Sequence, residues 1–216
     1  AKTHVKLALV VREEAAGIRR YVHVGTGNYH TGTARIYEDL GILTCDKELG
    51  ANVAALFNEL TGAMPSPGYG KLMVAPHNLR EQFTELIQRE IQHSQEGRPA
   101  GIRAKMNQLQ DARIIEELYH AGQAGVPISL NVRGICCLRA GIPGLSENIL
   151  VFSTLGRFLE HGRIYRFENG GKPEFFLGSA DWMRRNLDRR METIMPVADP
   201  QLKQELEQIL NVYEND

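Results

Sequence analysis

From residue 71 onward, short β-prone apolar runs alternate with segments of helical period, and this alternation most narrows the fold. Residues 71–75 read as a strand. Residues 79–93 read as a helix, with Leu79, Phe83, Leu86, Ile87 and Ile91 on one face. Residues 102–106 read as a strand, 111–122 as a helix and 126–132 as a strand. Such order predicts an α/β architecture with parallel neighbours, because a helix carries the chain back before each new strand. Residues 149–152, 164–167 and 175–177 read as further strands, and 201–212 as a closing helix.

The first part of the chain has another texture. Residues 5–11 and 20–24 are β-prone, with a charged, Gly17-containing connection at 12–19 between them. A loop follows at 25–32. A helix is expected over 46–60, with Asp46 as its cap and Leu49, Val53, Leu56, Phe57 and Leu60 at helical spacing. Two prolines and two glycines within 63–70 then break the chain. There is no initiator Met, and a histidine stands at position 4, so the sequence reads as a piece of a longer protein.

Composition excludes more than it selects. A net charge of −1 with 7% aromatic residues advertises no nucleic-acid surface. No apolar run approaches the roughly 18 residues of a membrane span. Three cysteines, two of them adjacent (Cys136, Cys137), form no disulfide framework, and the simple reading is reduced thiols in the cytosol. No CxxC or HExxH pattern suggests zinc.

The residues able to carry chemistry come in two matching sets. His4 and Lys6 are followed by Gly25-Thr26-Gly27-Asn28, and His161 and Arg163 by Gly178-Ser179-Ala180-Asp181. Each half offers an imidazole, a cation and an amide or carboxylate, an inventory suited to a phosphoryl group. On one strand, His4 and Lys6 would point to the same face. The plain alternative is a strand end with two solvated residues, and for His161 and Arg163 an exposed turn. The Gly25–Asn28 turn would present Asn28 and backbone N–H groups to an anion, or would simply close a hairpin. Arg133 ends a predicted strand, where a ligand or only solvent would meet it; Lys105 and Asn107 end the preceding one. Tyr37 would pack. His23, His30, His77, His93 and His120 show no partner pattern and read as surface or satisfied core residues. Arg184, Arg185, Arg189 and Arg190 form a solvated helix face or an anion track.

The paired halves resemble the phospholipase D superfamily. Val11 stands about where that superfamily places an aspartate, Arg163 replaces its second Lys, and Asp181 replaces its second Asn. One branch is closer. Residues 2–6 (KTHVK), 21–29 (YVHVGTGNY), 33–37 (TARIY), 56–58 (LFN), 104–107 (AKMN), 132–136 (VRGIC), 160–165 (EHGRIY) and 179–183 (SADWM) resemble the polyphosphate kinase family end to end.

That resemblance implies phospholipase D-like mixed sheets flanked by helices. The second half of one such domain would span 1–62, a linker 63–70, and a nearly complete second domain 71–216. It implies reversible transfer of the ATP γ-phosphate to inorganic polyphosphate through a phosphohistidine on His4, with His161 as the second active-site histidine. Lys6, Asn28, Lys105 and Arg163 would bind phosphate; Tyr37, Arg133 and His161 would bind the nucleotide. Mg²⁺ is expected with its ligands outside this chain and no metal site within it. Expected partners are ATP or ADP, polyphosphate and further copies of the protein, without nucleic acid. The expected location is cytoplasmic, or at a membrane as part of a complex. Two other readings stay open: a phospholipase D-type phosphodiesterase, and a non-catalytic polyphosphate-binding piece.

Overall fold

The computed structural model describes residues 2–64 and 68–215. The N-terminal part carries β1 (Lys2–Thr3), β2 (Leu7–Glu14), β3 (Gly17–Gly25), β4 (Tyr37–Glu38), β5 (Gly41–Thr44) and α1 (Lys47–Leu60). There follow β6 (Met73–Ala75), α2 (Leu79–Gln95), β7 (Ile102–Met106), α3 (Ala112–Gln123), β8 (Ile128–Val132) and β9 (Ile149–Phe152). The chain continues with β10 (Leu159–Glu160), β11 (Ile164–Phe167), β12 (Glu174–Gly178), α4 (Arg184–Arg189), β13 (Arg190–Val197) and α5 (Pro200–Asn215). The expected break at 63–70 falls partly on residues 65–67, outside the described residues.

The architecture is mixed α/β, as expected. The main sheet runs β1-β13-β12-β11-β7-β8-β9, with β6 also paired to β13. Parallel pairing holds for β7, β8 and β9, where α3 and a long loop return the chain. It does not hold throughout: β11, β12 and β13 form an antiparallel run, with a short connection between the first two and α4 between the last two. The anti-parallel β2-β3-β5 sheet stands apart. Its hairpin strands extend past their predicted ends, so the connection shrinks from 12–19 to the two residues between Glu14 and Gly17.

Local chemistry explains the helices. Asp46 accepts a hydrogen bond from Leu49 N (2.8 Å) and Asp111 one from Ile114 N (3.2 Å), satisfying N–H groups that a helix start leaves free. The α2 face packs Leu79, Phe83 and Ile87 against the sheet. There Phe83, Tyr165 and Trp182 stack within 4.8–5.3 Å of one another. Fully burying a side chain such as Phe83 contributes roughly 1.5–3 kcal/mol. Glu90, buried on the same helix, accepts from Gly101 N (3.1 Å) and Asn169 N (2.9 Å) and so ties α2 to the entry of β7. A second core joins the two parts of the chain: Val22, Val53 and Leu56 pack with Leu177, Met195 and Leu206.

Two expectations change. His4 and Lys6 do not share a strand: β1 stops at Thr3 and β2 starts at Leu7, so both lie in the join. His93 is not a satisfied core residue; it is buried, and neither ring nitrogen has a hydrogen-bond partner among the described residues.

Candidate active site

One edge of the main sheet gathers the chemistry. The carboxyl ends of β7, β8 and β12 reach it, as do the start of β11 and the first residues of β13 with β1 beside them. His4 N donates to Met191 O (2.9 Å), extending the β1–β13 pairing by one residue. This sets the His4 ring against Glu192, a carboxylate with no solvent exposure. His4 Nδ1 lies 2.9 Å from each Glu192 oxygen, and the angle makes Oε2 the acceptor. An imidazole that donates from Nδ1 keeps its lone pair on Nε2.

Lys6 folds back so that Nζ donates to His4 O at 2.6 Å. Only 3% of the residue is exposed. Burial brings its pKa down to about 8, with Glu192 opposing the shift and the charges of Arg163 and Arg190 adding to it. The nearly neutral protein thus focuses positive charge at one point. Arg190 belongs to this focus: it opens β13 opposite Lys2, and so leaves the surface cluster that Arg184, Arg185 and Arg189 form on α4.

His161 sits on the other side. Its Nδ1 is 2.7 Å from Asp39 Oδ1, and its ring centroid is 4.8 Å from that of Tyr37. Burial lowers the imidazole pKa; Asp39 opposes this, and Arg163 reinforces it. Arg163 Nη1 lies 3.3 Å from His161 Nε2 and donates to His161 O at 2.9 Å. The Asp39 carboxyl is pushed up by burial, but hydrogen bonds from His161 and Thr26 outweigh this and hold it below its ordinary value. Thr26 Oγ1 donates to Asp39 Oδ1 at 2.7 Å. Gly27 is required beside it, because a Cβ there would lie 2.1 Å from Asp39 Oδ2.

The second half of the repeat is internally closed. Arg163 donates from Nε to Asp181 Oδ1 (3.1 Å) and from Nη2 to Asp181 Oδ2 (3.2 Å), both side chains being buried. It also donates to Thr26 O (3.2 Å), which joins the two glycine turns. Asn28, by contrast, is exposed. The two halves therefore resemble each other in sequence but not in use.

Asn107 is a hub that the sequence reading only touched. Its N and Nδ2 reach Asp181 Oδ1 (2.8 and 3.4 Å), Nδ2 donates to His161 O (3.2 Å), and Oδ1 accepts from Arg133 Nε (2.8 Å). Arg133 and Tyr37 line one open cavity of about 430 Å³ with Leu159 and Glu160, between β4–β10 and the end of β8. Lys105 lies under this wall with 2% exposure, its Nζ 3.3 Å from both Glu160 Oε2 and Gly162 O.

The sequence-predicted residues His4, Lys6, His161, Arg163, Lys105, Arg133 and Tyr37 are thus brought to one sheet edge. Glu192 and Asp39 were not singled out. Glu192 lies in a strand that no sequence pattern predicted. Asp39 carried a signal only in its nearness to Tyr37. Among the described residues no three His, Cys, Asp or Glu side chains converge on a point where a metal ion would sit. Among the described residues no helix is long and apolar enough to cross a membrane.

Comparisons with known proteins give the family and the fold. The family model for polyphosphate kinase C-terminal domain 2 matches residues 72–216, and that for C-terminal domain 1 matches residues 1–66. The chain is 55% identical over 211 residues to a polyphosphate kinase of Thermosynechococcus vestitus, covering 98% of this chain and 29% of that protein. A polyphosphate kinase of Synechocystis sp. is 56% identical, with the same coverage. The crystal structure of polyphosphate kinase from Porphyromonas gingivalis superposes with a TM-score of 0.94 at 42% identity, over 99% of this chain and 33% of that one. The chain therefore spans well under half the length of the relatives it matches.

Proposed function

The chain belongs to the polyphosphate kinase family, and on that premise we propose that it carries the phosphoryl-transfer centre of an ATP:polyphosphate phosphotransferase, as part of a longer polypeptide. The observation that carries this reading is the His4–Glu192 pair beside a buried cation. The Nε2 lone pair of His4 attacks the γ-phosphorus in line. The N–P bond forms, the bond from phosphorus to the β,γ-bridging oxygen breaks, and ADP leaves with that electron pair. A terminal oxygen of polyphosphate then attacks the phosphohistidine, the N–P bond breaks, and the lone pair returns to Nε2. The reverse sequence regenerates ATP.

The residues act mostly by position and charge, as phosphoryl transfer requires. Glu192 fixes the His4 ring and steadies the charge it gains. Lys6, with Arg190, faces the equatorial oxygens. His161, steered by Asp39, exchanges a proton at the leaving or entering oxygen, or holds the phosphate from the opposite side. Arg163 and Lys105 add charge from behind the His161 loop, with their own donors engaged on Asp181, Glu160 and Gly162. Tyr37 and Arg133 take the nucleotide in the cavity they share; Asn28 meets the anion from the exposed turn. Mg²⁺ would accompany the nucleotide phosphates, and its protein ligands are sought outside this chain. Residues 1–62 and 71–216 are read as parts of two phospholipase D-like catalytic domains. On the same reading the protein would act in the cytoplasm, or at a membrane as part of a complex, as a homo-oligomer and without nucleic acid.

The test is incubation with γ-labelled ATP and Mg²⁺. Acid-labile label on the wild type, absent from His4→Ala, is expected. Cleavage of a phosphodiester without label transfer would turn the reading to a phospholipase D-type hydrolase. Polyphosphate binding without label, from a chain whose full-length form does label, would make this piece a binding module.

A further inference from the structure

The C-terminal half of α5 is tied to β7, β8 and β11 and, through Tyr213, to Glu160 in the wall of the Tyr37–Arg133 cavity. Along one face of the helix, Glu207, Asn211 and Glu214 all reach Arg103 on β7, at 2.6–2.9 Å. Glu214 also accepts from Ser129 on β8 (2.6 Å), and Glu207 from Arg166 on β11 (2.6 Å). These bonds clamp the helix across three strands. Tyr213 does something different. Its hydroxyl donates to Glu160 Oε2 at 2.7 Å, and its ring lies 4.8 Å beneath Lys105 Nζ. Glu160 is therefore gripped from two sides, by the Tyr213 hydroxyl and by the Lys105 ammonium on the same oxygen.

Glu160 belongs to a very short strand pair. Only Leu159 and Glu160 pair with Tyr37 and Glu38, in parallel register. A two-residue ladder supplies little rigidity of its own. Yet it aligns Tyr37 with Leu159 in the cavity wall and continues directly into His161, whose N donates to Glu38 O (3.1 Å). Support from outside the ladder comes from Lys105 on β7 and from α5, whose Tyr213 hydroxyl bonds Glu160 directly and whose Tyr213 ring backs Lys105.

We propose that Tyr213 is a positioning residue for nucleotide binding: through Glu160 and Lys105 it sets the β4–β10 wall that presents Tyr37 to a nucleoside di- or triphosphate. The inference rests on the nucleotide reading of the Tyr37–Arg133 cavity and goes beyond it by assigning a role to the C-terminal helix. Tyr213→Phe keeps the ring under Lys105 and removes only the hydroxyl. Loss of one hydrogen bond to a charged partner corresponds to roughly tenfold in an equilibrium constant.

The experiment compares wild type, Tyr213→Phe, Glu160→Gln and Glu214→Gln in the full-length protein. It measures ADP affinity by calorimetry, KM and kcat for ATP, and Tm. Tyr213→Phe is expected to weaken ADP binding and raise the KM about five- to tenfold, with kcat within twofold. Combining it with Glu160→Gln should give less than the product of the single effects. Glu214→Gln loosens the same helix turn without touching Glu160; it should lower Tm while leaving ADP affinity unchanged. Equal affinity for wild type and Tyr213→Phe, or equal losses in Tyr213→Phe and Glu214→Gln, would overturn the proposal. Wild-type ADP binding without polyphosphate synthesis would sink the kinase reading alone, since the affinity ratio still decides the role of Tyr213. Wild type that binds no nucleotide would sink both.

Discussion

His4 Nδ1 and the fully buried carboxylate of Glu192 meet at 2.9 Å although 188 residues separate them in the chain. The contact exists because β1 lies parallel to β13, with Thr3 opposite Met191. A buried carboxylate facing an imidazole holds one tautomer and balances the charge that the ring gains on attack.

Replacing Glu192 with Gln should therefore leave the fold largely intact and slow label transfer to His4 on the order of 100-fold, the scale of losing one preorganised electrostatic contact to the charge that develops on reaction. Quench-flow labelling beside a thermal melt checks both halves. Unchanged labelling would remove Glu192 from the mechanism.

Lys6 predicts a pH dependence with a definite sign. Its folded pKa, about 8, lies below the ordinary 10.5. Between those values the unfolded chain holds a proton that the folded one has released, so this group makes stability rise with pH across that window. Below it, both states are charged and the fold carries the full burial penalty. Affinity for anions should run the opposite way, weakening as pH rises through 8. Lys6→Met should abolish both slopes, read from denaturant melts and from the KM for polyphosphate between pH 7 and 9.5.

Two glycine substitutions should separate function from stability. At Gly27, an added Cβ meets the side chain of Asp39, which can swing aside. Gly27→Ala should lose most activity by releasing His161, at a stability cost of about 1 kcal/mol. At Gly178, the Cβ would lie 2.0 Å from Thr193 O, which is backbone in the adjoining strand. Gly178→Ala should cost about 3 kcal/mol or more, or prevent folding. Urea melts and turnover, measured together, distinguish the two.

Arg163→Lys should destabilise by about 2–4 kcal/mol, because a single ammonium cannot replace the two-pronged bond to buried Asp181. Denaturant midpoints give the value; a loss under 1 kcal/mol would mean that Asp181 finds another partner.

The outer sheet predicts association. Within it, β2 and β5 each pair only with β3 among the described residues, and Val10, Val11 and Leu43 are 53%, 54% and 81% exposed. Unpaired edges with apolar side chains invite other strands. Sedimentation should show concentration-dependent oligomers that Val10→Lys with Val11→Lys reduces.

Much was legible locally. The cap at Asp46, the helical faces of α1 and α2, and the strands β7, β9 and β11 follow from spacing and side-chain chemistry within a few residues. The two histidine motifs were legible in the same way, although Asn28 of the first lies exposed. What stayed hidden is β13. Glu192, Thr193 and Pro196 interrupt its apolar run, and it is buried nearly throughout, so no alternation between faces marks it. Its neighbours supply what its composition hides.

The sequence by itself therefore determined which groups the chain can bring to a phosphate, and which short elements carry them. Only the tertiary structure decided their partners. Glu192 reaches His4, Asp39 reaches His161 from 122 residues away, and Tyr213 reaches Glu160. Each of these contacts is set by strand order and helix docking, and no periodicity in the chain encodes a neighbour brought in by another strand.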